Sequence, residues 1–390
     1  MKEAQFTAGS AWLDRALLRA LNGDRADWPD EDAPDHAAAE LRIRFHGVAY
    51  CLAQRLELLG NWPSELVEAV RSDARLQGLW ESSHRHVVAQ AVEVLAQTGI
   101  ASAFNKGTAL AYLAYPDPAM RQRGDSDLVI APSDLSAARR VLSKAGWRCG
   151  FATPTQENWE FDTGAGFVHV IDLHWQATAV EGLRGLFDPV AALAEAVPLP
   201  RVSPSAQALD PVLLFLSGAL NQAMHADAGY LVDGVPIYAS QRLQWTMDSQ
   251  LQASRFSPEQ WANLVEQACA RGMPRLCLAA LDRARDGFSA PVPDAVSEAL
   301  RSAKGAAPID AFLFDMSTME RLRAGWRGAV GWHDRLTLLK RHLVMPEAAL
   351  RRKYPGMAGD PLLLLHGRRL VAGAIATLFP ASQDKQGRPE

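Results

Sequence analysis

The amino-acid sequence predicts an α+β protein in which a small mixed sheet with helices is flanked by N- and C-terminal helical regions. Three observations carry this expectation. Apolar residues recur at three- and four-residue spacing through the first hundred positions. Between about 100 and 176, short apolar runs alternating with helices and glycine turns replace that pattern. Helical spacing then returns from about 210, so the chain divides into 1–99, 100–200 and 201–390.

Residues 10–22 carry Trp12, Leu13, Ala16, Leu17 and Leu21 at helix spacing. An acidic, proline-bearing loop follows at 27–35. Helices are expected over 37–60, 63–72 and 76–99, each punctuated by Gly, Pro or Asn. Residues 100–104 read as a short strand and 107–115 as a helix. The strand 125–131 stops at Pro132, and Ser133 is placed to cap a helix with the stripe Leu135, Ala138, Val141, Leu142 and Ala145, ended by Gly146. Strands are expected over 147–152, 158–162 and 167–175, the last two joined through Gly164 and Gly166. Helices are expected over 213–224, 238–253, 258–272 and 274–288, with a further one over 360–379 ahead of a polar end at 380–390.

With 390 residues, 48% of them apolar, the chain can bury extended cores and is not a disordered sequence. Its net charge of −4 provides no basic excess for holding nucleic acid. Cys51, Cys149, Cys269 and Cys277 are scattered without a CxxC pair, which argues against zinc knuckles and disulfide frameworks and for a reducing, cytoplasmic setting. The N-terminal stretch is interrupted by Asp14 and Arg15 and lacks the apolar centre of a signal peptide. No apolar run reaches membrane-spanning length.

The sharpest local feature is RQRGDSDLVI at 121–130. Asp125 and Asp127 stand two apart at the entry to a strand, so their side chains share a face. Carboxylates that close repel one another unless a cation lies between them, and hard oxygen donors suit magnesium, with manganese as the alternative. A second acid-x-acid pair, Asp30 and Asp32, lies in the proline-bearing loop with no strand after it and reads as solvated. Upstream of the strand, Asn105-Lys106-Gly107-Thr108 joins a strand to a helix. Glycine there admits a phosphate to backbone N–H groups, while Lys106 offers a cation and Thr108 a hydroxyl. The third element is VHVIDLHW at 168–175, where alternation puts Val170, Asp172 and His174 on one face and Ile171, Leu173 and Trp175 on the other. Asp172, surrounded by apolar sequence, is costly to bury unless paired or metal-bound, and could act as a general base.

Taken together, NKGTALAYLAYPDPAMRQRGDSDLVIAPSDLSAARRVLSKAGW and the later Asp-Leu-His-Trp strand resemble the uncharacterised bacterial nucleotidyltransferase family of the DNA polymerase β superfamily. The resemblance is strongest over 100–176 and extends more loosely to RIRFHGVAYCL at 42–52 and RLQWTMD at 242–248. It implies a polymerase β-like core that moves a nucleoside monophosphate from an NTP to an acceptor. Asp125 and Asp127 would hold both metal ions, Asp172 the catalytic one, and Lys106, Gly107, Thr108 and Arg121 the nucleotide. Some of these features are similar to relatives found beside lasso-peptide biosynthesis genes, which implies a peptide or small-molecule acceptor. Three positions depart from the family pattern. Thr108 replaces a serine, Ser126 replaces an apolar residue, and Asn221 with His225 stands where relatives carry two histidines.

Arg123, His174 and Arg242 are further candidates for the site. Arg242 and Asp248, six residues apart, do not share a helix face. Trp245 and Trp261 fall on apolar stripes and read as core. The basic run at 351–353 reads as a solvated face. Other phosphoryl or sugar-phosphate transfer on the same core, and a non-catalytic binding role in a biosynthetic or defence operon, are the competing functions.

Overall fold

The computed structural model describes residues 10–29, 35–178, 180–228, 230–232, 235–237, 241–328, 332, 335–336, 350–351 and 360–369. It divides into two units, Met1–Met316 and Ser317–Glu390.

The first unit opens with α1 (Ser10–Asn22), α2 (His36–His46), α3 (Ala49–Ala53) and α4 (Ser64–Gln97). The stripe expected on α1 is the buried one: Leu13, Ala16, Leu17 and Leu21 pack with Ile43, Leu52 and Trp62 in a local core. The single helix expected over 37–60 is interrupted at Gly47, whose φ of 68° is left-handed. A Cβ there would lie 2.5 Å from Arg242 Nη2 and 2.9 Å from Gln244 Oε1, so the close approach also needs glycine. Conversely, the two helices expected over 63–72 and 76–99 are one, because 72–76 contains neither Gly nor Pro to stop it.

The sheet follows: β1 (Ser102–Asn105), α5 (Lys106–Leu113), β2 (Ser126–Ile130), α6 (Leu135–Lys144), β3 (Arg148–Ala152), β4 (Gln156–Asp162) and β5 (Val168–His174). After α7 (Pro189–Ala194), β6 (Val197–Pro198) and β7 (Gln207–Ala208) complete seven strands in the order β3-β4-β5-β2-β1-β7-β6. Strand β2 is central, antiparallel to β1 and parallel to β5. Every residue of β1 and β2 is buried, as befits strands covered on both faces. Ser133 does not cap α6; it lies in a 3-10 turn over Pro132–Asp134, where Pro132 has already fixed the backbone.

Helices α8 (Pro211–Ala228), α9 (Leu243–Ala253), α10 (Pro258–Ala270), α11 (Pro274–Phe288) and α12 (Asp294–Arg301) continue the unit, with a hairpin of β8 (Tyr230–Val232) and β9 (Val235–Ile237) before α9. Helix α9 begins at Leu243, after Arg242 in an extended backbone; residues 238–240 of the helix expected over 238–253 lie outside the described residues. One core runs from α4 through the sheet to α12, including Val88, Phe104, Leu128, Ile171, Leu214, Trp261 and Leu281. In the second unit, α13 (Thr318–Gly328) begins where Ser317 Oγ accepts from Glu320 N–H at 3.3 Å. Residues 362–369 form part of the helix expected over 360–379; its remainder, 380–390, the Asp30/Asp32 pair and 352–353 lie outside the described residues. Arg351, at the start of that basic run, is half-buried and donates to Asp360 O at 3.2 Å. Among the described residues no helix is long and apolar enough to cross a membrane.

Helices α1, α2 and α9 meet at Asp14. Its carboxylate accepts from Arg42 Nε at 2.7 Å and from His46 Nε2 at 2.7 Å. His46 Nδ1 accepts from Leu243 N–H at 3.1 Å, which leaves the imidazole proton on Nε2 for Asp14. Burial opposes ionisation of Asp14, but the hydrogen bonds from His46 and Arg42 outweigh it and hold the carboxyl at about 2, below the ordinary 3.8. A carboxyl whose pKa is lower folded than unfolded stabilises above the unfolded value, and that contribution fades as pH falls through the folded one. Asp14→Asn is expected to lower stability by about 1–2 kcal/mol at neutral pH, discounted for partial exposure. In urea titrations the gap to wild type should narrow between about pH 4 and pH 2; a constant gap would contradict the ionic assignment.

Candidate active site

Four adjacent strands place polar residues at one level. Asn105 on β1 is opposite Asp127 on β2, Asp127 is in register with Asp172 on β5, and Asp172 is opposite Asn158 on β4. Partners in register share a sheet face, so this row crosses the middle of the sheet. Asn158 Nδ2 donates to Asp172 Oδ1 at 3.0 Å, and Asn105 Nδ2 donates to Ser217 Oγ on α8 at 3.0 Å. His174, two residues beyond Asp172 and on the same face, puts Nε2 2.9 Å from Asp127 Oδ1. Donor atoms of Asp127, Asp172 and His174 all lie within 4.8 Å of one another, so these three could hold a metal ion. Asp125 precedes the first residue of β2 and stands outside that group, exposed at its edge.

Charge crowding governs the ionisation of the row. Burial works against the Asp127 carboxylate, yet the Lys106 ammonium and His174 outweigh it and hold its pKa well below the carboxylate range. Asp172 is shifted upward by burial and by the charge on Asp127, opposed by its bond from Asn158. Asp125 is pushed up to about 7 by surrounding protein and by the charges of Asp127 and Asp172. Asp125 nonetheless keeps access to water, so the like charges are the firmer cause.

Lys106 begins α5 and donates from Nζ to Asp127 Oδ1 at 2.5 Å. Its φ of 47° is left-handed, a conformation that costs a non-glycine residue roughly 1–2 kcal/mol. The positive φ of this turn falls on Lys106 and not on Gly107, because the chain turns from β1 into the helix at Lys106. A Cβ on Gly107 would meet Arg123 Cδ at 3.4 Å and Arg121 Nη1 at 3.5 Å, so these side chains pack directly over it. Thr108 is fully buried, with Oγ1 2.7 Å from Ser126 Oγ and accepting from Arg123 Nε at 3.0 Å. Its hydroxyl faces the interior.

The loop between α5 and β2 is held by two buried ion pairs that run in opposite directions. Arg121 donates through Nε to both oxygens of Asp248 on α9, at 2.8 and 3.0 Å, and through Nη1 to Gln244 Oε1 at 3.1 Å. Arg123 pairs with Glu81 on α4 at 2.8 Å and lies over the rings of Trp80 and Tyr112. Both guanidiniums are thus engaged within the protein. Arg242 is buried at the start of α9, donates to the Phe45 carbonyl and stacks 4.2 Å over the Tyr230 ring. His225 stacks on Trp245, 5.8 Å between centroids.

Sequence reasoning missed Glu81, His84, His169 and Asn158. Glu81 and His84 lie three apart on α4, a spacing that puts two polar groups on its buried stripe and marks them as interior partners.

Paired carboxylates with an adjacent imidazole could hold a metal ion, and a lysine stands beside them at a helix N-terminus. Residues 38–289, well over half of the 390-residue chain, match the family model described as uncharacterised nucleotidyltransferase. The chain belongs to that family, the one its 100–176 motifs resemble, and is a nucleotidyltransferase whose substrate class is a nucleoside triphosphate. No curated protein matches the chain.

Removing one member of a buried ion pair strands the other charge. Glu81→Ala is expected to lower stability by about 3–5 kcal/mol, whereas Glu81→Met with Arg123→Met should recover most of it. Denaturant titrations of the three proteins decide this, and equal losses in both variants would refute it.

Proposed function

We propose that this nucleotidyltransferase moves a nucleoside monophosphate from an NTP to an acceptor hydroxyl or phosphate, with Asp125, Asp127 and Asp172 as its metal-binding carboxylates. The observation that supports this best is the in-register pair Asp127 and Asp172 on adjacent parallel strands, with Asp125 two residues upstream and the N-terminus of α5 alongside. Two carboxylates and an imidazole nitrogen within 4.8 Å of one another fit a divalent cation. Magnesium or manganese, when bound, neutralises charge on the attacking and leaving oxygens.

The chain's own groups have the following roles in this reading. Asp127, strongly ionised, and Asp125 hold the cation, and His174 orients Asp127 from the neighbouring strand. The N–H group of Gly107, in the first turn of α5 and without a helical partner, faces the triphosphate, the Lys106 ammonium adds charge there, and the buried Thr108 steadies the turn from within. Arg121 and Arg123, each paired with a carboxylate, act at one remove by fixing the loop. We assign Arg242 no nucleotide contact. The acceptor oxygen forms a bond to the α-phosphorus as the bond to the β-phosphate oxygen breaks. Pyrophosphate leaves, and the acceptor proton passes to Asp172 as the general base. A net charge of −4 favours a peptide or small-molecule acceptor over nucleic acid.

The test is incubation with each α-labelled NTP and magnesium, with and without cell extract. Wild type should transfer label and release pyrophosphate. Asp125→Ala with Asp127→Ala should lose more than about a hundredfold, beyond the ten- to hundredfold typical of losing a supporting partner. No transfer of α-label to any acceptor while γ-labelled NTP, run in parallel, does transfer, or equal activity in the variant, would overturn the reading.

A further inference from the structure

The face of β2 turned away from the carboxylates carries a second polar construction. Ser126, between Asp125 and Asp127, is fully buried, and its Oγ lies 2.7 Å from Nε2 of His84, which is itself fully buried on α4. His84 Nδ1 lies 3.1 Å from His169 Nδ1, and His169 Nε2 lies 2.7 Å from Ser83 Oγ. Trp80 stacks on His84 at 4.2 Å with its ring within 15° of parallel. With the Thr108 contacts, an unbroken chain runs Arg123, Thr108, Ser126, His84, His169, Ser83.

One order of donors satisfies every member of this chain. Arg123 can only donate, so Thr108 Oγ1 accepts from it, and in this order the Thr108 proton turns toward Ser126, 2.7 Å away. Ser126 then donates to His84 Nε2. His84 carries its proton on Nδ1 and donates to His169 Nδ1, leaving His169 Nε2–H for Ser83. Every member is satisfied, and the arginine at the head orients the dipoles away from itself. Both imidazoles must be neutral for this order. Burial, then the nearby Arg123 and His169, hold His84 well below the ordinary histidine range, and burial lowers His169 against the opposing charge of Glu81.

We propose that His84 is a positioning residue for the metal-binding carboxylates, acting through Ser126 from the opposite face of the sheet. The reason is geometric. Strand alternation makes the fixed side chain on one face set the direction of its neighbours on the other. Asp127 has a ladder partner on each side, but Asp125 lies ahead of the strand, and among the described residues no hydrogen bond holds its carboxylate. Ser126 is the last anchored side chain before it. This inference rests on the proposed role of Asp125 and Asp127 in binding metal.

The experiment is a double-mutant cycle of His84→Phe and Ser126→Ala, with His84→Gln as the conservative variant. Mn2+ affinity by calorimetry is the primary readout, with thermal midpoints and label transfer alongside. His84→Phe is expected to weaken Mn2+ binding about ten- to a hundredfold. Ser126→Ala should do likewise, and the pair together no more than either alone, since both remove one connection. His84→Gln, whose Oε1 can accept from Ser126, should regain most of the affinity even where its thermal midpoint matches that of His84→Phe. Nitrogen chemical shifts of wild type should place the His84 proton on Nδ1.

Multiplicative losses in the double variant, or a Gln variant as weak as the Phe variant, would overturn the proposal. If His84→Phe does not fold, Ser126→Ala alone decides, and unchanged Mn2+ affinity there refutes it. A wild type that binds no Mn2+ removes the metal-site reading as well, whereas tight wild-type binding that no variant alters removes only the role of His84.

Discussion

Two carboxylates in register on neighbouring parallel strands are the constraint around which this protein is organised. Adjacent strands bring opposed side chains within about 5 Å, and like charges at that separation in a shielded setting repel strongly. Asp127 and Asp172 coexist because the second turn of charge is local: Lys106 arrives from the helix that follows β1, and His174 from the next same-face position of β5. Asn158 steadies the less ionised partner from the far side. The sheet order, with β2 between β1 and β5, is what allows donors from three separate chain segments to converge on one pair of oxygens.

Holding that convergence requires the loop ahead of β2 to be rigid. Arg121 and Arg123 alternate along it, so one reaches toward α9 and the other toward α4. The flanking helical regions therefore do more than cover the sheet. Each supplies the carboxylate that immobilises one end of the approach to the site, and Gly47 lets α2 close on the same part of α9. Stability and site geometry depend on the same few contacts.

Local patterns in the sequence were enough to show β2, β5, their alternation and the helix beginning near Lys106, because each rests on periodicity or on turn residues within a few positions. Asp125, Asp127, Asp172 and Lys106 were legible for the same reason. What was not legible depends on distance along the chain. Nothing near Arg121 announces Asp248, 127 residues away, and nothing near Ser126 announces His84. The hydroxyl of Thr108 looked available because burial is a tertiary property. The left-handed backbone at Lys106 broke the local rule that assigns such turns to glycine, as strained residues at functional sites often do.

The pair between Arg121 and Asp248 also has a consequence in time. Residue 248 leaves the ribosome 127 residues after residue 121, a delay of roughly ten seconds at about 5–20 residues per second. Through that interval the loop's arginine has no counter-charge and stays in water, so the approach to the carboxylates cannot set. A nascent chain thus carries the whole motif while lacking the partner that fixes its approach, so the loop sets through a long-range docking step rather than through the motif's own emergence.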